Sequence, residues 1–471
     1  MLLTYEAKTF LREEIPVAET LACKVCETLA ERGHEAYLVG GCVRDMLMGR
    51  VPHDYDVCSS AKPEEVVTIW GDYAIPTGVK YGTVTVLASL IDNPYMKRTP
   101  IEVTTFRGDG SYEDGRHPND VEFVETLEED LERRDFTVNA MAYDPATDRI
   151  YALDPTSMDD LKLGTIRCVG NPDERFSEDA LRMLRAVRFC ATLGFRLHAD
   201  TMKAIVRNAH LIQKVSKERI RDELTKILTS ERPETMWLAQ ILGLTKYFLP
   251  EFDDVVACPQ NNKWHRMGVA DHTFDVVRGV DRNNKALRWA AFLHDFGKPA
   301  TRTTDEGGHD HYYGHPAVSA SIAADVCERL KFDNDSKEKI VKLCETHDLL
   351  SPGMKGQGGY RRAIARIGDD LFPEWAQLRG ADILAHSMTG VPEGLELLSK
   401  VKETFIETQE QNGAFTIKKL KVNGNDVCEA LGVGPGPIVG EALRYLLEVV
   451  LDDPSFNEKE KLISKLKEWK K

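Results

Sequence analysis

The chain has 471 residues, of which 42% are hydrophobic and 29% charged, as in an ordinary soluble protein of about two to four domains. Its net charge of −15 excludes a broadly basic nucleic-acid binder, but it permits a local basic groove because phosphate contacts depend on where Lys and Arg lie. No apolar run reaches the roughly 20 residues of a membrane helix, and residues 1–16 are too charged for a signal peptide, so we expect a cytoplasmic protein without a membrane partner.

The first clear pattern along the chain is a strand that runs into a glycine turn. Residues 37–39 are apolar and predict the strand, Gly40 and Gly41 the turn, and residues 42–48 a short helix. Paired glycines let backbone amides approach a phosphate closely, and a helix N-terminus favours negative charge. Arg44, in the first turn of that helix, can donate a forked pair of hydrogen bonds to phosphate oxygens. The segment therefore predicts a cradle for a triphosphate.

A possible metal site follows directly. Asp54 and Asp56 are two residues apart on the next predicted strand, so both project to one side, about 6–7 Å apart along the strand. Such a pair can share two Mg²⁺ ions, which catalytic sites hold about 3.5–4 Å apart. Glu102 points outward from the predicted strand 101–106 and is a third candidate carboxylate. An exposed strand glutamate without a catalytic role is an equal alternative for Glu102.

Residues 128–139 predict a helix that carries a second group of polar candidates. Arg134 is placed to contact phosphate. Asp135 and Asn139 are one helical turn apart and can line the sugar side of a nucleotide site. The alternative is a helix end with solvated arginines.

A further helix, with Ser177 as its N-cap, is predicted to be polar on one side and apolar on the other. The polar positions, every third residue, are Asp179, Arg182, Arg185 and Arg188, and the buried ones are Ala180, Leu181, Leu184 and Val187. Asp179 can accept a hydrogen bond from the exocyclic amine of cytosine or adenine, and Arg182 can donate to the adjacent ring atom. Uracil and guanine present a carbonyl there and should be rejected. A salt bridge on a solvated helix is the alternative.

The order of these motifs closely resembles the family of class II tRNA nucleotidyltransferases (CCA-adding enzymes) and bacterial poly(A) polymerases. Gly-Gly-x-Val-Arg-Asp at 40–45 is followed after eight residues by Asp-x-Asp at 54–56, and residues 133–140 and Glu-Asp-x-x-Arg at 178–182 match later motifs. The resemblance implies that Asp54 and Asp56 hold Mg²⁺ and that Asp179 and Arg182 select the base. The residues implied to hold the triphosphate are Gly40, Gly41, Arg44, Arg134, Arg185 and Arg188.

Two other segments bear on substrate. Residues 107–120 are rich in turn residues and resemble the flexible loop that CCA-adding enzymes carry and the family's CC-only members lack, which favours addition of the final A. An amphipathic helix over 215–228 resembles a further family motif. Its basic positions are a candidate RNA-binding face, with a plain solvated face as an equal alternative: Lys214, Lys217, Arg219, Arg221 and Lys226.

From residue 265 the composition changes, because eight of the thirteen histidines fall between His265 and His386. The pattern resembles an HD domain, a helical fold of metal-dependent phosphohydrolases. The ligands implied by this resemblance are His272, His294, Asp295 and Asp382. Mixed imidazole and carboxylate ligands suit Mn²⁺, Ni²⁺ or Co²⁺. A degenerate site kept for structure is the alternative, and Gly-His315-Pro and His347-Asp348 are noted without a role.

The sequence therefore predicts an α+β protein: a nucleotidyltransferase head with a small mixed β-sheet (1–155), then an all-helical neck and body (156–262), an HD domain (263–392) and a helical tail (393–471). The implied reaction adds CCA to tRNA 3′ ends from CTP and ATP with two Mg²⁺ ions, and no DNA partner is expected. Two alternatives stay open. One is a poly(A) polymerase acting on generic RNA, and the other is an HD phosphohydrolase acting on RNA ends or small phosphoesters.

Overall fold

The structure is a computed structural model, and it describes residues 2–6, 15–90, 98–108, 122–261, 268–350, 354, 356–387, 390–411 and 413–469. Residues 109–120 of the loop expected to favour addition of A lie outside this part. The chain forms two compact units, Met1–Ile227 with Thr235–Tyr247 and Leu228–Glu234 with Phe248–Lys471. No helix in the described ranges has the length and apolar character to cross a membrane.

The first unit contains an eight-stranded sheet in the order β1-β8-β7-β2-β3-β6-β5-β4. Its strands are β1 (Leu3–Glu6), β2 (Ala36–Val39), β3 (Asp56–Ser59), β4 (Ala74–Gly78), β5 (Thr83–Ala88), β6 (Thr99–Thr105), β7 (Met141–Asp144) and β8 (Arg149–Ala152). All neighbours are antiparallel except β3 and β6, which run parallel. The prediction of a mixed sheet is thus confirmed, with eight strands.

Ten helices of the described residues accompany this sheet or follow it. They are α1 (Val17–Glu31), α2 (Gly41–Leu47), α3 (Pro63–Trp70), α4 (Leu127–Glu132), α5 (Thr156–Leu163), α6 (Pro172–Glu178), α7 (Leu181–Leu193), α8 (Ala199–Asn208), α9 (Lys217–Leu228) and α10 (Met236–Ile241). Helix α1 packs against β2, β3 and β6, which buries the strands that lead to the polar candidates. On α7, the predicted apolar face is buried as expected, with Leu184 and Val187 fully enclosed.

The second unit is built from helices. They are α11 (Glu251–Ala257), α12 (Val269–Gly279), α13 (Lys285–Leu293), α14 (Lys298–Thr301), α15 (His315–Arg329), α16 (Asn334–Thr346), α17 (Gln357–Ile367), α18 (Phe372–Ala385), α19 (Val391–Glu410), α20 (Gly424–Leu431), α21 (Pro437–Asp452) and α22 (Lys459–Glu468). The predicted helical remainder is confirmed. Two short ladders are added to it, β9 (Thr165–Ile166) with β10 (Arg196–Leu197) in the first unit, and β11 (Thr303–Thr304) with β12 (Asp310–His311) in the second.

Two of the predicted elements are shorter than the pattern indicated. Strand β3 begins at Asp56, because β6 starts to pair with it only at Glu102, so Asp54 lies just before the strand. The predicted helix 128–139 was also wrong in its second half. Helix α4 ends at Glu132, and a separate 3₁₀ turn covers Thr137–Asn139.

The predicted start of the base-selecting helix was wrong as well. Ser177 is not an N-cap but lies inside α6, and Asp179 has an extended backbone (φ −139°, ψ 101°) between α6 and α7. Its carboxylate accepts the amide hydrogen of Leu181 at 3.0 Å and so caps the first turn of α7. A short acidic side chain competes with helix continuation in this way, and the expected stripe therefore loses its first member to the interhelical turn.

Candidate functional site

The three candidate carboxylates lie at one end of the β3–β6 pair. Asp56 and Glu102 are partners in the parallel register, on adjacent strands. Between the two aspartates, Tyr55 is buried, and its hydroxyl donates to Glu19 Oε2 of α1 at 3.0 Å. Because Tyr55 turns inward, the residues on either side of it turn outward, and Asp54 and Glu102 are exposed.

The electrostatics of this group suit a cation. Burial, together with the carboxylates of Asp54 and Glu102, raises the pKa of Asp56 to about 6. The three side chains thus oppose one another's ionisation, and a divalent cation with hard oxygen preference removes that cost. They do not form one of the groups whose ligand atoms all lie within 4.8 Å, which within the described ranges occur in the second unit.

The glycine turn is shaped around an arginine. Gly40 has φ +80° and ψ −128°, a conformation that side chains disfavour, and a Cβ at this position would lie 3.0 Å from Nη1 of Arg134. Arg134 Nη2 donates to Asp130 Oδ2 at 2.9 Å, which fixes the guanidinium beside the turn. The sequence motif at 133–140 therefore meets the Gly-Gly motif in space.

A chain of hydrogen bonds joins three of the predicted motifs. Arg44 Nη1 donates to Asn139 Oδ1 at 2.6 Å, and Asn139 Nδ2 donates to Asp135 Oδ1 at 3.1 Å. Arg185 Nε then donates to Asp135 Oδ2 at 2.8 Å. Although burial alone would raise it, the pKa of Asp135 is lowered to about 2 by Arg185 and Asn139. Asp135 is therefore an ionised anchor that orients basic residues from α2 and α7.

Phe189 gathers the arginines of this network, and the sequence reasoning gave it no role. The guanidinium carbons of Arg188, Arg44 and Arg185 lie 3.8, 5.4 and 5.6 Å from its ring centroid. A ring face attracts cations, so one buried phenyl group holds three positive charges together. The signal was available on the helix, since Phe189 is one turn from Arg185, but its meeting with Arg44 required the fold.

The two residues expected to read the base are each held by the protein. Asp179 forms an ion pair with Arg219 of α9, with Arg219 Nη2 at 2.7 Å from Asp179 Oδ2. Arg182 Nη1 donates to Glu178 Oε2 at 2.5 Å, and its Nη2 donates to the carbonyl of Arg133 at 2.8 Å. Arg219 had been placed on a candidate RNA face, so its contact with Asp179 is a finding of the fold.

The remaining basic candidates also carry acidic partners. Arg188 Nε lies 2.6 Å from Glu223 Oε2, and Lys226 Nζ lies 3.2 Å from the other oxygen of Glu223. Arg221 donates to the neighbouring Asp222 at 3.0 Å. These pairs order the helices around the basic pocket.

In the second unit the four expected HD ligands come together. His272 lies on α12, His294 and Asp295 follow α13, and Asp382 lies on α18. His272, His294 and Asp382 form a buried group whose ligand atoms all lie within 4.8 Å of one another. His272 Nε2 is 3.1 Å from Asp382 Oδ1.

The structure adds a second group that the sequence reasoning did not assign. Asp295, His315 and His347 also have ligand atoms within 4.8 Å of one another. Burial lowers the pKa of His347 to about 3, so its imidazole is neutral at physiological pH. Lys298 Nζ lies 2.7 Å from Asp295 Oδ2 and completes the charged cluster. Both histidines were visible in the sequence, but the packing of α15 and α16 decides that they meet.

Comparison with known protein families matches successive parts of the chain to four family models. The poly A polymerase head domain matches residues 36–167, and the probable RNA and SrmB-binding site of polymerase A matches 194–255. The HD domain matches 264–387, and tRNA nucleotidyltransferase domain 2 matches 376–466. The order of these models follows the order of the motifs described above.

Whole-chain relatives carry one name. The chain is 48% identical over 451 residues to the CCA-adding enzyme of Anoxybacillus flavithermus, covering 95% of this chain and 96% of that protein. It is 34% identical over 472 residues to the CCA-adding enzyme of Ligilactobacillus salivarius, covering 97% and 98%. Among solved structures, the Bacillus stearothermophilus CCA-adding enzyme in complex with CTP matches with a TM-score of 0.72 and 30% identity, covering 96% of this chain and 98% of that one.

Proposed function

We propose that this chain, which belongs to the family of CCA-adding enzymes, adds CMP, CMP and AMP to tRNA 3′ ends in the cytoplasm, from CTP and ATP and without a nucleic-acid template. The relatives carry that name over their full length, and the solved Bacillus stearothermophilus relative is described with CTP. The observation that supports the proposal most strongly is the meeting of the paired strand carboxylates Asp56 and Glu102 with the glycine turn and Arg134 in one head.

In the proposed reaction, Asp54, Asp56 and Glu102 hold a pair of Mg²⁺ ions. Bound Mg²⁺ supplies Lewis acidity at the terminal hydroxyl and neutralises charge on the α-phosphate and the departing pyrophosphate. The protein's own part is to position the nucleotide. Gly40 and Gly41 present backbone amides to the triphosphate, and Arg44 and Arg134 donate to its oxygens.

The arginines around Phe189 extend this positive pocket. Arg185 and Arg188 face the same ring as Arg44, and the ionised Asp135 fixes the first of them at 2.8 Å. A triphosphate carries several negative charges, so a preorganised set of guanidinium groups stabilises it without reorganisation during the reaction. Asp135 and Asn139 line the sugar side in this proposal.

Base choice is assigned to Asp179 and Arg182. Asp179 accepts from the exocyclic amine that cytosine and adenine share, and Arg182 donates to the adjacent ring atom. Since both side chains hold protein partners at 2.7 and 2.5 Å, base binding requires an exchange of those hydrogen bonds for hydrogen bonds to the nucleotide. Arg219 then becomes the residue that holds the Asp179 carboxylate in its ionised, accepting form.

We further propose the division of labour that the sequence suggested. The catalytic head covers 1–155, the neck and body 156–262 select the base and bind RNA, the HD domain covers 263–392, and the tail covers 393–471.

A single assay tests the proposed reaction. Purified protein is incubated with Mg²⁺, a tRNA that lacks its terminal CCA, and each nucleoside triphosphate alone and in combination. Stepwise addition of C, C and A is the expected result. A long A tract from ATP alone would favour poly(A) synthesis, and no extension under any condition would refute nucleotide addition.

The HD cluster supports a second candidate function, hydrolysis of a phosphoester such as an RNA 2′,3′-cyclic phosphate. Its four expected ligands are buried and converge, and their mixed imidazole and carboxylate set suits Mn²⁺, Ni²⁺ or Co²⁺. Such an ion lowers the pKa of a bound water. Phosphodiesterase activity measured with each metal tests this function, and the absence of activity with every metal would contradict it.

A further inference from the structure

We propose that the HD domain holds two metal ions that share Asp295 as a bridging ligand. The family resemblance implies one ion, bound by His272, His294, Asp295 and Asp382. The additional site consists of His315, His347 and the second oxygen of Asp295, and it makes the centre dinuclear.

The two oxygens of Asp295 face different histidine pairs. Oδ2 lies 3.2 Å from His294 Nε2 and 3.5 Å from His272 Nε2. Oδ1 lies 3.3 Å from His315 Nε2 and 3.7 Å from His347 Nε2. Asp295 is 1% exposed, so its carboxylate is presented to these four rings and to Lys298 rather than to water. A carboxylate divided between two imidazole pairs has the arrangement of a bridge between two ions.

Backbone carbonyls fix which nitrogen of each additional histidine faces the centre. Nδ1 of His315 lies 2.8 Å from the carbonyl of Tyr312, and Nδ1 of His347 lies 2.7 Å from the carbonyl of Cys344. A carbonyl only accepts, so both Nδ1 atoms are the donors and both neutral rings turn a lone pair on Nε2 inward. Metal-binding histidines are oriented by this kind of outer hydrogen bond.

These lone pairs converge on one another. His315 Nε2 and His347 Nε2 are 3.1 Å apart, and Asp295 Oδ1 lies on the same side of both. Three acceptor atoms so close together repel one another unless a positive charge lies among them. A divalent cation bound to all three atoms removes that repulsion, whereas a proton can be shared by only two of them.

The first site does not need the additional histidines. His272, His294 and Asp382 already form a complete group, and Arg379 Nη1 donates to the other oxygen of Asp382 at 2.7 Å. Asp382 therefore offers one oxygen to the centre. The second ion would have three protein ligands, which leaves positions open for water and substrate, as in catalytic metal sites.

The chemistry of a dinuclear centre sets the substrate class. Two divalent ions outweigh the two carboxylates, and Lys298 adds a further positive charge, so the site attracts an anionic phosphoester. In hydrolysis, the oxygen of water forms a bond to phosphorus, the bond from phosphorus to the leaving oxygen breaks, and the proton of water goes to that oxygen. Paired ions favour this displacement by stabilising both the attacking and the leaving oxygen.

The test counts ions in the full-length chain. A parent variant carrying Asp54→Ala and Asp56→Ala prevents the head from contributing metal, and Mn²⁺ is added by equilibrium dialysis after chelation. The expected result is two Mn²⁺ per chain, with an exchange-coupled signal by electron paramagnetic resonance. His347→Ala should reduce the count to one and remove the coupling. His309→Ala is the matched control, because that side chain is 63% exposed and pairs with Asp305 on the surface.

One ion in the parent, two ions in His347→Ala, or two uncoupled ions would each overturn the dinuclear centre. Circular dichroism and thermal unfolding of the metal-free variants establish that they fold, and His315→Ala replaces His347→Ala if the latter does not. The inference rests on the proposed metal role of the HD domain but not on its activity. Two coupled ions without hydrolysis would refute the phosphohydrolase and leave the dinuclear centre standing, whereas hydrolysis with one ion would do the reverse.

Discussion

At the scale of single residues, Asp56 illustrates how a catalytic carboxylate is set against stability. Its pKa of about 6 lies above the ordinary value of 3.8 because of burial and the neighbouring Asp54 and Glu102. The folded chain therefore holds the proton more tightly than the unfolded chain does. Ionisation of Asp56 consequently opposes folding above about pH 6, and this penalty disappears below about pH 4.

We expect Asp56→Asn to stabilise the metal-free protein at pH 7.5 by about 1–2 kcal/mol while lowering nucleotide addition by on the order of 10²–10³-fold. The gain should vanish near pH 4, where the wild-type side chain is already protonated, and saturating Mg²⁺ should reverse it. Urea denaturation with and without chelator measures both effects. Asp72→Asn, at an exposed position, is the control. A gain that does not change between pH 7.5 and pH 4 would contradict the electrostatic origin.

A second residue-scale prediction concerns base choice. Asp179→Ala should raise the ratio of kcat/KM for UTP to that for CTP by about 5- to 150-fold, the equivalent of about 1–3 kcal/mol per lost base contact. Single-nucleotide incorporation into a tRNA lacking CCA gives the ratio.

The matched control for Asp179→Ala is Asp173→Ala on α6. Asp173 is also paired with an arginine, Arg207, at 2.6 Å, but its side chain is 44% exposed. The control should keep the wild-type selectivity. If Asp179→Ala slows incorporation of every nucleotide equally, the residue is a structural partner of Arg219 and not a reader of the base.

At the scale of elements, the turn between β2 and α2 is fixed by sterics rather than by side-chain contacts. Gly40→Ala should cost about 1–3 kcal/mol of backbone strain, since φ is +80° and ψ is −128°. It should also raise the KM for CTP about tenfold, a loss of about 1.4 kcal/mol in binding, because the new methyl group displaces Arg134. Chemical denaturation and steady-state kinetics separate the two effects.

Gly49→Ala distinguishes strain from displacement. Gly49 has φ +69°, but no atom lies within 4 Å of the Cβ that would be added. This variant should lose stability without any change in KM. Equal KM values for the two alanine variants would show that Arg134 does not contact the triphosphate.

At the scale of the whole molecule, the two compact units carry separate chemistry. Asp54 belongs to the first unit, and the HD cluster belongs to the second. Asp54→Ala should therefore abolish nucleotide addition and leave phosphodiesterase activity within about twofold of wild type, while His294→Ala should do the opposite. Both activities are measured on the same preparations. Loss of both activities in either folded variant would contradict their independence.

The sequence by itself determined the local features of this protein. The glycine turn, the helix over residues 63–70, the buried face of α7 and the helical ends of the HD motif depend on backbone sterics and on the period of apolar residues within one segment. These properties are complete within about ten neighbouring residues, so they can be predicted from the printed chain.

The tertiary structure alone decided which polar groups meet. Asp179 was expected on a helix stripe, yet it caps the start of α7 and pairs with Arg219, forty residues away. Phe189 collects Arg44 from another element, and His315 and His347 converge on Asp295 from two helices. Such contacts depend on how helices and strands pack, and side chains distant in sequence converge only after their apolar faces are buried, so no spacing along the chain contains them.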